Sequence, residues 1–308
     1  MKHSPQKTVI IICGPTAVGK TSAAISLAKH FNTEIISADS RQCYKELKIG
    51  VARPSEEELH AVSHHFIASH SVTENFNASY FEQYALRKVN GLFQKHDVVV
   101  MVGGTGLYIK AFAEGLDAIP EVDESIRKKI IEHYDTKGLE WLQEEVKTKD
   151  PAYYAVGEIQ NPQRLMRALE VIESTGRSIV AFRSSQKVKR DFNIIKIGLE
   201  LSKEDLHHNI NKRVDRMIEE GLVEEVRSLQ GYRDVNALQT VGYSEIFEHL
   251  DGKISLETAI EEIKRNTRQY AKRQMTWFRK DKEINWINAN QTDEILRMAQ
   301  KLVEQNKK

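Results

Sequence analysis

Residues Gly14-Pro15-Thr16-Ala17-Val18-Gly19-Lys20-Thr21 match the phosphate-binding pattern G-x-x-x-x-G-K-[ST], and their flanks constrain the fold more than any other stretch. Thr8-Val9-Ile10-Ile11-Ile12-Cys13 is a short β-branched apolar run, which predicts a buried strand. Ser22 to His30 has helical character. Strand, glycine turn and helix are the parts an anion site needs. Glycines let backbone N–H groups close around an anion, and the helix N-terminus adds partial positive charge. Lys20 is placed to reach phosphate oxygens, and Thr21 to hold Mg²⁺ or a phosphate oxygen. The loop specifies a diphosphate but not the molecule that carries it; nucleotide-binding and ATP-binding proteins share it.

Further along, Glu34-Ile35-Ile36-Ser37-Ala38 reads as a second strand ending at Asp39-Ser40-Arg41-Gln42. In a doubly wound sheet, residues just past a strand's C-terminal end line the ligand crevice, so Asp39 is expected near the bound phosphates. A turn aspartate capping the next helix is the plainer alternative. Asp97 to Val102 reads as a buried strand running into Gly103-Gly104-Thr105-Gly106-Leu107-Tyr108. Many phosphate-loop ATPases place a Mg²⁺-ordering aspartate at such a strand end. Glycines and Thr105 here suggest close backbone approach to a ligand with a hydroxyl donor beside it. His60, His64, His65 and His70 lack the spacing and companions of a metal site.

From about Gly115 to Arg190 the strand-like runs vanish. Helical, charge-rich segments such as Glu124–His133 and Gly138–Lys147 replace them, punctuated by Pro120, Pro151 and Pro162. Asn161-Pro162 starts a helix that carries Arg164 and Arg167 on one face and stops near Gly176. Strand character resumes at Phe192 to Leu199, and a long helical region with Arg213 and Arg216 follows. The expected fold is therefore α/β: a P-loop NTPase-like parallel sheet flanked by helices, with a mostly helical insertion. The core would span 1–114 and 191–308, and the insertion 115–190.

Composition adds constraints. A hydrophobic fraction of 40% with 29% charged residues fits a soluble globular protein, and no apolar stretch is long enough to span a bilayer. The start runs directly into the first strand, which argues against a signal peptide, and the two cysteines have no metal or redox spacing. A cytoplasmic location and a monomer are expected. Net charge is only +1, so any case for nucleic acid must be local. That case is Ile263–Lys282, which holds Lys264, Arg265, Arg268, Lys272, Arg273, Arg279, Lys280 and Lys282 against a single acid, Asp281. At 100° per residue, Arg265, Arg268, Lys272 and Arg279 fall within about 60° of one another. Ile263, Tyr270, Trp277 and Phe278 take the opposite side, expected to face the core. A basic stripe of this kind suggests polyanion binding.

Taken in order, these stretches resemble the tRNA dimethylallyltransferases, also called tRNA isopentenyltransferases. The resemblance rests on Gly14–Thr21, Asp39–Tyr44, Gly50–Pro54, Gly103–Tyr108, Asn161–Glu170, Arg213–Met217 with Gly221–Glu225, Val241–Tyr243, and Thr267–Gln274. It is closest to the bacterial form, without the C-terminal zinc finger of eukaryotic relatives. The resemblance implies transfer of a dimethylallyl group from dimethylallyl diphosphate to N6 of the adenosine 3′ of the anticodon in tRNA. It implies that residues 14–21 hold the diphosphate with Mg²⁺ on Thr21, that Arg213 neutralises leaving-group charge, that Asp39 is the general base and that Thr105 donates to the bridging oxygen. It places Asp39, Ser40, Arg41, Gln42, Thr105, Arg127, Gln163, Arg164, Leu165, Met166, Arg167, Arg268 and Lys272 against the tRNA anticodon stem-loop. A nucleotide or small-molecule kinase is the competing expectation, since it shares the loop and the fold.

Overall fold

The computed structural model describes residues 7–184 and 186–306. Its elements, in chain order, are β1 (Thr8–Cys13), α1 (Lys20–His30), β2 (Ile35–Ser37), α2 (Glu56–Ala61), β3 (His64–His65), α3 (Ala78–Leu92), β4 (Val98–Gly103), α4 (Gly106–Glu114), α5 (Glu124–Lys149), α6 (Pro151–Val156), α7 (Pro162–Thr175), β5 (Asn193–Glu200), α8 (Lys203–Glu219), α9 (Leu222–Ser228), α10 (Tyr243–Leu250), α11 (Leu256–Phe278), β6 (Ile284–Asn288) and α12 (Thr292–Gln305). Contacts divide the chain into one unit formed by Met1–Glu114 and Lys189–Lys308, and a second formed by Gly115–Val188.

The first unit is a six-stranded parallel sheet in the order β3-β2-β4-β1-β5-β6, flanked by helices. Every residue of β1 and β4 is buried, as expected of strands covered on both faces. Alternate residues serve opposite layers. Val9, Ile11 and Cys13 pack with α3, α4 and the α8–α11 region, while Ile10 and Ile12 pack with α1 and α12. The register Cys13↔Gly103 and Ser37↔Val102 ends β1, β4 and β2 almost level, so the loops that follow them emerge at one edge.

Elements that went unread in the sequence include α2, α4, α10, β6 and α12. Strand β6 lies at the sheet edge and sends Ile284 and Trp286 to one helical layer and Ile287 to the other, with Asn285 and Asn288 between and after them. Residues 263–278 of the basic segment are the C-terminal part of a longer helix, α11, which begins at Leu256 behind a Ser255 cap; residues 279–282 follow its end.

The second unit is helical and has its own apolar core, including Ile130, Leu142, Val146, Leu165, Met166 and Leu169. The two helices read across Glu124–Lys147 are joined as α5, with a break at Gly138, whose φ of 75° leaves the helical region. Helix α7 starts with Asn161 accepting from the Arg164 amide and Pro162 in its first turn, and stops at Gly176 in the left-handed conformation (φ 69°).

Candidate active site

The loop after β1 needs conformations that its residue types permit only in part. Gly14 has φ +143°, and a Cβ there would lie 2.5 Å from the Leu199 carbonyl oxygen. Gly19 (φ 96°) enters α1 in the left-handed region, and Ala17 (φ 62°) adopts that region without being glycine. Gly19 is the N-cap of α1 and supplies no side-chain cap, so the first-turn amides face outward as donors. The loop opens on a cleft of about 940 Å³ whose wall includes Thr16, Lys20, Thr21, Asp39, Gly104 and Arg213.

The charges in this cleft are unbalanced. Lys20 Nζ donates to the Pro15 carbonyl at 2.6 Å. Burial, with Arg213 nearby, lowers its pKa from 10.5 to about 8. Burial likewise lowers the Arg213 guanidinium to about 10, with Asp39 opposing the shift. No carboxylate lies within 4.0 Å of either cation among the described residues. Two desolvated cations beside an uncapped helix N-terminus make a site waiting for a multiply charged anion.

Asp39 follows β2. Its Oδ1 accepts from the amides of Arg41 (2.9 Å) and Gln42 (3.2 Å), which fixes the carboxylate, while Oδ2 has no hydrogen-bond partner among the described residues. The turn aspartate and the cleft aspartate are thus one residue in two roles. Thr105 follows β4. Its Oγ1 accepts from the Ser40 amide at 3.0 Å and donates to Ser40 Oγ at 3.3 Å, tying the β4 loop to the Asp39 turn. Arg41 reaches Asn236 Oδ1 at 3.4 Å. Gln42 spends its side-chain amide on the Val51 and Ala52 carbonyls, so it braces the cleft wall. That wall is anchored from behind. Glu225 accepts from the amides of Lys48, Ile49 and Gly50 and, at 2.6 Å, from the fully buried Tyr243 hydroxyl.

Helix α11 departs from the sequence reading in two ways. Ile263, Thr267, Tyr270 and Gln274 line the cleft, a stripe at spacings of four, three and four. It lies roughly 150° around the helix from the Arg265–Arg268–Lys272–Arg279 stripe, so the basic stripe turns away from the cleft. Tyr270 is 37% exposed and faces the cleft, not the core. The stripe is also less positive than its segment implies. Lys264 pairs with Asp215 at 2.8 Å, Arg265 with Glu262 at 3.1 Å, and Arg279 with Glu200; Arg268 donates to Asn211 at 2.7 Å. Asp281 turns inward to Lys196. Lys272 stays exposed.

Gln274 was not among the sequence candidates, yet its side chain bonds to two loops of the cleft. Its Oε1 accepts from the Thr16 amide at 2.8 Å, and its Nε2 donates to the Gly104 carbonyl at 2.9 Å. The 4-3-4 spacing of the cleft stripe was the available signal.

In the helical unit, Arg164 pairs with Glu158 at 2.6 Å. Arg127 (3.6 Å) and Arg167 (3.2 Å) converge on the two oxygens of Glu170, itself buried. Gln163 is exposed. Leu165 and Met166, expected against tRNA, have their side chains in this unit's apolar core. They seat α7, whose outward side presents Gln163 and Arg164. The four histidines read along 60–70 have separate partners: the Glu56 carbonyl for His60, the Val62 carbonyl for His64, Glu34 for His65, and Ser69 with Tyr80 for His70. No helix among the described residues is long and apolar enough to cross a membrane.

Comparison with known proteins bears on this cleft. Residues 42–281 match the IPP transferase family model. A tRNA dimethylallyltransferase of Christiangramia forsetii is 52% identical over 279 residues, covering 91% of this chain and 92% of that protein. The tRNA dimethylallyltransferase 1 of Bacteroides fragilis is 46% identical over 294 residues, covering 96% and 98%. The crystal structure of the tRNA isopentenylpyrophosphate transferase of Bacillus halodurans aligns at a TM-score of 0.72 and 35% identity, over 97% of this chain and 98% of that one. A eukaryotic dimethylallyltransferase described as acting on tRNA aligns at a TM-score of 0.73 and 27% identity, over 92% of this chain and 74% of that one.

Proposed function

The chain belongs to the IPP transferase family, and from that premise we propose that it transfers a dimethylallyl group from dimethylallyl diphosphate to N6 of the adenosine 3′-adjacent to the anticodon in tRNA. The observation that carries the donor half is the pair of desolvated, carboxylate-free cations, Lys20 and Arg213, beside the uncapped N-terminus of α1. As the C1–O bond of the donor breaks, negative charge grows on the departing diphosphate. Amides of loop residues 17–21, with Lys20 and Arg213, stabilise that charge more than the ground state, while the Thr16 amide is held by Gln274 Oε1. The allylic carbon spreads its positive charge over the adjacent double bond and is captured by the adenine amine. Asp39 Oδ2, free while Oδ1 holds the turn, accepts the amine proton. Thr105 donates to the bridging oxygen once its hydroxyl turns from Ser40, 3.3 Å away.

The hydroxyl oxygens on the cleft wall, Thr21 Oγ1 and Ser37 Oγ, suit a hard divalent cation beside a diphosphate. Thr21 is the residue that would hold Mg²⁺, which supplies further neutralisation of the diphosphate when bound. A kinase reading is disfavoured because β4 ends in Gly103-Gly104-Thr105 without a carboxylate.

The acceptor amine is inaccessible in a stacked base, so the adenosine is extruded into the cleft past Ser40, Arg41 and Gln42; the helical unit by itself would offer Arg127, Gln163, Arg164 and Arg167 to RNA, and the outer side of α11 would offer Arg268 and Lys272. A cytoplasmic monomer suffices for this chemistry. The test is incubation with unmodified tRNA and dimethylallyl diphosphate, then digestion to nucleosides and mass analysis. A gain of one dimethylallyl group on adenosine is expected. Phosphoryl transfer from ATP to a small acceptor, with no prenylated nucleoside, would overturn the reading.

A further inference from the structure

The two loops that must meet for this reaction come from different strands. The diphosphate loop follows β1, and the loop bearing Thr105 follows β4. Beyond the strands, one side chain joins them, Gln274 of α11. Its acceptor end takes the Thr16 amide at 2.8 Å and its donor end gives to the Gly104 carbonyl at 2.9 Å. The side chain is buried, 7% exposed, so both bonds are shielded from water. The fit is close, because a Cβ on Gly104 would run into Gln274 Nε2. A second side-chain amide, Asn209 Nδ2 of α8, holds the next loop residue through the Ala17 carbonyl at 3.3 Å. Ala17 is the loop residue held at φ 62° without being glycine, so an external hold on its neighbours offsets its strain.

We propose that Gln274 is a positioning residue for the transfer. It preorganises the diphosphate cradle and sets its offset from the Thr105 loop. A primary amide of this length does both, because its oxygen accepts while its nitrogen donates. Glutamate keeps the acceptor, but it sets a carboxylate oxygen against the Gly104 carbonyl and adds negative charge beside Lys20, whose Nζ lies 3.7 Å from the Gly104 Cβ position. Alanine leaves both loop groups unpaired. Gln274 touches neither reacting atom, so its effect is read through the loops.

This inference rests on the donor assignment above, and one set of measurements separates the two. Wild type, Gln274→Ala, Gln274→Glu and Asn209→Ala are titrated by calorimetry with inorganic pyrophosphate in the presence of Mg²⁺. They are then assayed for kcat, KM and tRNA affinity, with thermal midpoints as a control. For Gln274→Ala, pyrophosphate binding is expected to weaken at least fivefold and kcat to fall at least tenfold, with tRNA affinity within twofold of wild type. Gln274→Glu is expected to weaken pyrophosphate binding further than Gln274→Ala does, with tRNA affinity again within twofold of wild type. Asn209→Ala is expected to show a smaller loss of the same kind. If wild type binds no pyrophosphate, the donor assignment fails. If wild type binds and turns over but Gln274→Ala and Gln274→Glu match it within twofold, or their losses only track melting, the inference about Gln274 is overturned.

Discussion

Replacing Lys20 with methionine is expected to make the ligand-free protein more stable while disabling it. The Lys20 ammonium has its pKa lowered from 10.5 to about 8 by burial and by Arg213. The folded state therefore holds this proton less tightly than the unfolded chain does. At 1.36 kcal/mol per unit, the charged form costs the fold about 3 kcal/mol at neutral pH. Losing the bond to the Pro15 carbonyl offsets about 1 kcal/mol of the relief. A net gain of about 2 kcal/mol remains, roughly 4–8 °C in the melting midpoint for a unit of this size. Between pH 8 and 10.5 the unfolded chain binds more protons than the folded one, so wild-type stability climbs through that window. The advantage of Lys20→Met should accordingly be constant below pH 8 and close towards pH 10.5. Urea melts at several pH values measure this directly. Pyrophosphate at a hundredfold its wild-type dissociation constant should stabilise wild type by about 2.7 kcal/mol and the variant by far less. A variant less stable than wild type at pH 7, or a stability difference that ignores pH, would refute the argument that a desolvated cation is held there for an absent anion.

Asp39→Ala should retain tRNA affinity in filter binding and lose at least a hundredfold in kcat; a loss below tenfold would make the carboxylate purely a turn-former. Glu225→Ala strips acceptors from three successive amides and from Tyr243, and should cost roughly 2–4 kcal/mol in urea denaturation, with Glu225→Gln milder. Lys272→Ala should reduce the salt dependence of tRNA binding by about one counterion; an unchanged slope would remove α11 from the RNA contact.

The loop at 14–21 was legible because local rules suffice there. An apolar run, two glycines and a lysine at set spacing declare strand, turn and helix within 23 residues of one another. Asp39 and Thr105 were legible at one remove, through the rule that strand ends line the crevice. The electrostatics of α11 were not. Glu262 is local, but two of the neutralising partners, Asp215 and Glu200, lie tens of residues upstream, and no window over the helix contains them. Leu165 and Met166 show the converse error. A motif marks a stretch as functional but not which of its side chains point outward, and these two fill the core. Gln274 was hidden because its partners are backbone atoms of two distant loops, which leave no trace in side-chain identity.

The strand order β2-β4-β1 carries a consequence for how this catalyst can change. The aspartate turn, the threonine loop and the anion loop hang from three consecutive rungs of one ladder, and neighbouring rungs stand about 4.8 Å apart. On the proposed assignment, the span between an acceptor amine and a departing phosphate is therefore inherited from peptide geometry rather than from side chains. Variation at the loops can retune which isoprenoid or which base is admitted. A donor needing a different reach would require another strand between them, a remodelling of topology beyond point substitution.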